Sequence, residues 1–337
     1  MLDTALPQNP DSPLVTATLT PMQQSADRGV VSASPPDTGP NSIARGLGVL
    51  GDEWCLQLLR AAHTGATRFG RFQELLPISA ASLAARLALL ADEGLLIRRV
   101  YQQNPIRAEY LLTPQGRGTW PILLAIWDWE DRWADHVRGE LPVRRHTVCG
   151  ASFHPELVCG TCGVATVRTD VRAAWGPTGG WSRSVPETAT RRRTNASRSA
   201  GEFPETMAVF GNRWSAVVMG AVFQGISRYT DFESTLKIPS NILSERLRIL
   251  LDYGLLRVDV AEQGRRDYHL TEKGQAFFPI IATTLSWAER WYALPEGPAM
   301  SWRHDDHALA PRLDCDQCHQ PLQAAQIEIL RPDDQNV

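Results

Sequence analysis

The stretch 68-RFGRFQELLPISAASLAARLALLADEGLL-96 decides the reading of this chain. Phe69 to Leu76 predicts a short helix that stops at Pro77, because proline lacks the amide hydrogen a helix interior needs and restricts the residue before it. A longer helix follows from about Ser79 to Glu93. Ser79 is placed to cap its N-terminus, and Gly94 suits the left-handed position that ends many helices. Leu83, Leu87 and Leu90 lie on one face and are core. Two helices joined by so short a turn make a helix-turn-helix, whose second helix can enter a DNA major groove.

The same stretch recurs. Arg68, Phe72, Leu76, Leu83, Arg86, Leu87 and Leu90 have counterparts in Arg228, Phe232, Leu236, Leu243, Arg246, Leu247 and Leu250, each 160 residues on. After a two-residue deletion the offset is 158, and Tyr110, Thr113, Gly116, Pro121, Trp129 and Trp133 meet Tyr268, Thr271, Gly274, Pro279, Trp287 and Trp291. A register held across two long segments marks a duplicated domain.

Around each helix-turn-helix the pattern repeats. Asn41 to about His63 reads as two helices broken near Gly51. Leu95–Tyr101 and Ala108–Leu112 read as a β-hairpin with Gln102 to Pro105 at its tip. Thr113-Pro114 starts a further helix, threonine as cap and proline in the first turn. The order predicts a mainly α fold with small β-hairpin wings (α+β): two winged helix-turn-helix domains in tandem, at 41–140 and 203–295. Cys/His extensions follow at 141–175 and 296–330. Residues 1–40, with seven prolines, read as a disordered tail. Residues 176–202 read as a flexible linker whose Arg191, Arg192, Arg193 and Arg198 are a solvated charge run, and 331–337 as a tail.

These motifs, GDEWCLQLLRAAHTGATRFGRFQELL with RAEYLLTPQGR and GNRWSAVVMGAVFQGISRYTDFESTL with RRDYHLTEKGQ, resemble the HxlR-type transcriptional regulators of the broader MarR-like group. The resemblance covers roughly 42–138 and 203–294. It implies a DNA-binding repressor or activator that works as a homodimer. With two such domains in one chain, an intrachain pseudo-dimer is expected, with further homodimer formation left open. A small-molecule effector is a further expectation, although the rows Trp120, Trp127, Trp129, Trp133 and Phe277, Trp287, Trp291 read as packing or dimer interface.

Composition fits this expectation. The chain has 337 residues, 43% hydrophobic content and a net charge of −3. Residues 1–40 carry −3 and the segment from Glu328 carries −2, which leaves +2 on the remainder. No apolar run approaches the length of a membrane span, and the N-terminus lacks a secretory pattern, so a cytoplasmic protein is expected. No nucleophile–base pair, phosphate loop or paired-carboxylate motif points to an enzyme.

The candidate DNA contacts in the first recognition helix are Ser79, Ser82 and Arg86, set among alanines. The second offers Ser240, Asn241, Ser244, Arg246 and Arg248. Asparagine pairs bidentately with adenine and arginine with guanine. Arg86 and Arg246 each precede a core leucine and have an intradomain ion pair as their alternative role. The wings supply Arg98, Arg99 and Arg107, then Arg257, Arg265 and Arg266, suited to phosphate or the minor groove. The chemistry predicts asymmetry, with the second copy reading bases while the first anchors or dimerises.

Each extension carries metal-ligand spacing. The first has His146-x2-Cys149 and Cys159-x2-Cys162, and the second has His304-x2-His307 and Cys315-x2-Cys318. Each set would close a tetrahedral zinc site within its own copy, three Cys and one His in the first, two of each in the second. Metal would explain how segments too small for a core fold. The exchange of Cys149 for His307 favours metal over disulfide chemistry, since histidine cannot form a disulfide. His154 and His319 have no counterparts and are weaker ligand candidates. Two alternatives stand beside the regulator: a thiol-redox-sensing regulator, and a protein-interaction scaffold with degenerate DNA-binding domains, which the alanine-rich first helix would suit.

Overall fold

The computed structural model describes residues 39–134, 141–186, 203–260 and 264–330. The proline-rich tail, Arg191 to Arg193 with Arg198, and the C-terminal tail lie outside the described residues.

In the first half, α1 (Ser42–Leu50) and α2 (Glu53–His63) precede α3 (Phe69–Leu75) and α4 (Ala80–Asp92). Asn41 and Asp52 cap the first two helices, accepting from the amides of Ala44 and Cys55. Ser79 caps α4 by accepting from Ser82 N, and Gly94 takes φ +79° just past its end, so the expected start and stop signals both operate. Leu83, Leu87 and Leu90 are completely buried. The wing is β1 (Leu96–Gln103) and β2 (Ile106–Leu112), paired antiparallel. Its strands run further than expected, leaving only Asn104 and Pro105 at the tip. Tyr110 N donates to Thr67 O and Arg68 bridges Glu109, so the segment entering α3 acts as a third strand that fixes the wing. Thr113 then caps α5 (Pro114–Arg117), and α6 (Trp120–Trp133) follows. The extension supplies β3 (Val143–His146), β4 (Pro155–Cys159) and β5 (Val171–Trp175), then a short α7 (Trp181–Ser184).

The second half repeats the order as α8 (Pro204–Phe210), α9 (Arg213–Phe223), α10 (Tyr229–Leu236), α11 (Ser240–Asp252), β6 (Leu256–Val260), β7 (Arg266–Leu270), α12 (Glu272–Gln275) and α13 (Phe278–Trp291). Its extension gives β8 (Met300–His304), β9 (His307–Ala308), β10 (Pro311–Cys315) and β11 (Ile327–Leu330).

The halves meet around an approximate two-fold axis. Trp129 Nε1 donates to Lys273 O at 3.1 Å, and its counterpart Trp287 Nε1 donates to Gln115 O at 3.0 Å. Trp129 also packs edge-on against Phe277 at 5.0 Å. The aromatic rows are therefore interface as well as core, and Trp129 and Trp287 each find the acceptor a buried indole needs on the other half. α1 lies on α13 so closely that a Cβ on Gly46 would meet Ala288 Cβ at 2.7 Å. The symmetry-related contact has Thr206 N donating to buried Glu130 at 2.7 Å.

The extensions depart from expectation. They are not separate modules, since their sheets are built between copies. β4 pairs with β10, β3 with β11, and β5 with β8. Leu157 faces Leu313 at the centre of the β4–β10 ladder, on the two-fold axis. His146 sits opposite Ile327, just as His304 sits opposite Val171. Residues 176–186 are likewise not a free linker: Asn41 donates to Thr178 O and Ser184 Oγ, and Thr178 and Ser184 are buried. Backbone groups tied down in this way cannot belong to a solvated coil.

Candidate nucleic-acid interface and metal centres

The recognition helices α4 and α11 bury one leucine face and expose the other. On α4 the exposed positions are Ala80, Ala81, Ala84, Ala85 and Ala88, with Asp92 at the C-terminal end. Ser79 and Ser82 bond to one another at 3.0 Å as part of the cap. On α11, Asn241, Ser244 and Arg248 are exposed. Asn241 makes no side-chain hydrogen bond among the described residues. Arg248 pairs with Asp252 at 2.6 Å one turn on, an exposed pair of small energy that a phosphate or base can replace. Tyr229 OH donates to Ser240 O at 2.9 Å and lies 3.0 Å from Ser244 Oγ, tying α10 to the start of α11. Ser240 Oγ donates to Glu233. Sequence reasoning missed Tyr229, because its aromatic character reads as core until the helices are placed.

Arg86 and Arg246 are not outward readers. Arg86 Nε donates to Asp52 at 2.8 Å, the same carboxylate that caps α2 and is only 4% exposed as a residue. In the second half Asn212 replaces Asp52, and Arg246 turns to Glu245 at 2.8 Å, its side chain 14% exposed. Both arginines lie flat against their own domain, the ion-pair alternative rather than the DNA contact.

The wing arginines divide. Arg98, Arg107 and Arg266 are exposed with no carboxylate partner among the described residues. Arg99 pairs with Glu109 on the facing strand, Arg257 with Asp259, and Arg265 with Asp267 at 3.2 Å. Arg68 lies over the exposed Tyr101 ring at 5.1 Å, extending the first wing's basic edge. The three unpaired arginines are the groups readiest to meet phosphate.

The Cys/His residues form two clusters, and both are crossed. One holds His146 and Cys149 from the first extension with Cys315 and Cys318 from the second. The other holds Cys159 and Cys162 with His304 and His307. The grouping expected within each copy is thereby corrected, although each cluster keeps one of the expected compositions. The physical reason is the strand pairing: β4 on β10 and β3 on β11 carry each knuckle to its opposite number. Within each cluster all ligand atoms lie within 4.8 Å of one another. His146 Nδ1 is 3.6 Å from Cys149 Sγ and 3.3 Å from Cys318 Sγ, and Cys149 Sγ is 3.9 Å from Cys315 Sγ. Cys159 Sγ is 3.2 Å from His307 Nε2, and Cys162 Sγ 3.4 Å from His304 Nδ1. A zinc tetrahedron with metal–sulfur and metal–nitrogen distances of about 2.3 and 2.0 Å has edges of about 3.3–3.8 Å. The donor sets match that size.

Local backbone shapes the knuckles. Cys159 N bonds to Val164 O and Gly163 N to Cys159 O, with Gly163 at φ +77°. Cys315 N bonds to Gln320 O and His319 N to Cys315 O, with His319 at φ +55°. His319 thus serves as a turn residue. His154 is bound to Asp128 at 2.7 Å, so neither histidine joins a cluster. Burial opposes the Cys159 thiolate, but backbone hydrogen bonds at Ala310, Cys162 and Thr161, with His307, bring its pKa down to about 5. Burial lifts Cys315 to about 11. All six cysteines are free thiols.

Two helix-turn-helix units with hairpin wings, related by an approximate two-fold axis, define a winged-helix DNA-binding protein. The family described as HxlR-like helix-turn-helix matches residues 49–138 and 209–295. The chain belongs to that family and is a DNA-binding transcriptional regulator. Among its relatives, an uncharacterized HTH-type transcriptional regulator of Mycobacterium tuberculosis is 34% identical over 136 residues, 40% of this chain and 86% of the relative. The uncharacterized HTH-type regulator YvaP of Bacillus subtilis is 31% identical over 100 residues, 29% of this chain and 93% of the relative. Among the described residues no single helix is long and apolar enough to cross a membrane.

Proposed function

We propose that one chain supplies both reading heads of a regulator, engaging two half-sites of an operator as an intrachain dimer, with two zinc ions clamping the heads in register. The observation that carries this is the reciprocal pair of indole hydrogen bonds, Trp129 to Lys273 O and Trp287 to Gln115 O. Isologous contacts of that kind belong to two-fold dimers, whose DNA half-sites mirror the protein symmetry. The zinc part rests on the two four-ligand clusters, whose donors come from both halves.

The heads divide the labour. Asn241, Ser244 and Arg248 on α11 read base edges, while the alanine face of α4 packs against the groove and Arg98, Arg107 and Arg266 hold phosphate. A small-molecule effector belongs to the same reading.

The test is a binding titration of full-length protein on fragments upstream of its own gene, with random competitor, over a range of salt. Specific binding at one chain per two half-sites is expected. Asn241→Ala should cost about 1–3 kcal/mol at one half-site only. Arg98→Ala with Arg107→Ala should weaken all sequences alike and flatten the salt slope by about one for each phosphate left without its arginine. Equal losses at both half-sites on Asn241→Ala would remove the asymmetric part of the proposal.

A further inference from the structure

The two-fold symmetry fails at one place in the interior. Between α1, α9, α13 and the β5–β8 sheet lies a cavity of about 80 Å³, almost wholly apolar. Trp175, Trp181, Trp302, Phe223, Met219 and Met300 are among its walls. Arg168 lies at one end with its N–H donors committed, its guanidinium donating to the carbonyls of Phe223 and Val171. Thr284 also lines the space, and its Oγ1 is buried without a hydrogen-bond partner.

The related positions in the other half carry bulk. Gly220 of α9 corresponds to Arg60 of α2, Ala216 to Leu56, Ile43 to Phe203 and Leu285 to Trp127. Arg60 lies over the Phe203 ring at 5.9 Å, and Arg144, the counterpart of Trp302, lies over Trp127 at 4.9 Å. One of the two symmetry-related spaces is plugged and the other is open. Gly220 is not required by its backbone: a Cβ there would meet only Trp181, at an ordinary 3.8 Å. Its smallness leaves space without serving a turn.

We infer that this cavity is a binding site for one small, uncharged, aromatic molecule per chain. Aromatic and thioether walls favour a flat apolar body, and the donors of Arg168 are already turned to backbone carbonyls. The cavity abuts α9, against which the recognition helix α11 packs, so occupancy bears on the reading head. The inference deepens the regulator reading, and its assay contains no DNA, so either can fail without the other.

The test is calorimetric titration of the metal-loaded full chain with indole, an uncharged bicyclic molecule with one N–H donor. One site per chain is expected. Gly220→Leu fills the space and should weaken binding at least about tenfold, a loss of about 1.4 kcal/mol. Ala216→Leu, which restores the residue of the plugged half, should act in the same direction, and Arg60→Gly should leave indole affinity for the open cavity unchanged. Thermal melts establish that each variant is folded. No binding of indole up to millimolar concentration, or binding undiminished in folded Gly220→Leu and Ala216→Leu proteins, overturns the proposal.

Discussion

If zinc fills the crossed clusters, pairs of cysteine substitutions distinguish them from sites closed within each copy. Cys149→Ala with Cys315→Ala strikes one crossed cluster twice, leaving only His146 and Cys318 there. The cluster of Cys159, Cys162, His304 and His307 keeps all four donors. Cys149→Ala with Cys159→Ala removes one donor from each cluster. Structural zinc sites bind with roughly 10–16 kcal/mol, so each of four ligands accounts for about 2.5–4 kcal/mol, or roughly two to three decades in affinity. The first pair should therefore abolish one site and leave the other at full strength, retaining one zinc per chain. The second pair should weaken both sites by two to three decades each. Sites closed within a copy reverse this pattern, because there the second pair strikes one site twice and spares the other.

The assay is zinc content of full-length protein after dialysis against a chelator, with cobalt substitution as a second readout. Sulfur-to-cobalt charge transfer scales with the number of thiolates. The zinc surviving in the first pair should then be replaced by cobalt with a two-thiolate spectrum, from the Cys159 cluster. One retained metal in the second pair, with none in the first, would refute the crossed arrangement. A wild-type chain that loses all metal to dialysis would refute the zinc clamp itself.

Four further outcomes follow from packing and burial. Gly46→Ala should destabilise by about 1–3 kcal/mol in denaturant titrations, since the added methyl would stand 2.7 Å from Ala288 Cβ. Gly70→Ala, with nothing within 4 Å, should instead stabilise by up to about 1 kcal/mol. Arg86→Ala strands the capping carboxylate of Asp52 and should cost about 2–4 kcal/mol of stability, while DNA affinity per folded molecule stays unchanged; a loss of affinity in fully folded protein would restore Arg86 as a reader. Glu130 sits fully buried, and burial raises its pKa from 4.5 to about 7 against the opposing bonds from Thr206, with Glu205 raising it further and Lys273 lowering it. A raised folded pKa adds stability that is complete below about 4.5 and lost as pH climbs through about 7. Wild type should thus lose up to about 3 kcal/mol relative to Glu130→Gln between pH 5 and 8, and parallel stability curves for the two proteins would contradict the assignment.

Much of this was legible in the sequence because its signals are local. Ser79, Pro77 and Gly94 act within a few residues of themselves, and the leucine spacing on α4 needs only helical period to be read. Duplication made the second half readable from the first. The orientation of Arg86 was not legible, since its partner Asp52 lies 34 positions away and belongs to a different helix. Nor was the crossing of the clusters. Ligand spacing within a knuckle is a local property, but which knuckles meet depends on β4 pairing with β10 around an axis that no single stretch encodes. Residues 176–186 misled for a related reason: Gly, Ser and Thr suit a linker equally well whether solvent or Asn41 takes their hydrogen bonds.

The pattern of what the halves share and what they do not is itself informative. The groups on the axis are matched: Trp129 with Trp287, Leu157 with Leu313, and the four ligand pairs, even where Cys149 answers His307. These positions hold two halves together, and a change in one half alone would leave its opposite number without a partner. Away from the axis the copies differ freely, in Ala81 against Asn241 on the recognition helices and in Arg60 against Gly220 beside the cavity. A homodimer cannot do this, because any substitution appears on both sides. Fusing two copies into one chain removes that constraint while crossed strands and crossed ligands keep the geometry of the dimer. The α9 wall of the cavity and α11 belong to the same half and pack together, so under the proposed reading a ligand against α9 would bear on α11. The symmetry-related space, between α8 of the second half and α2 and α6 of the first, is filled by Phe203, Arg60 and Trp127.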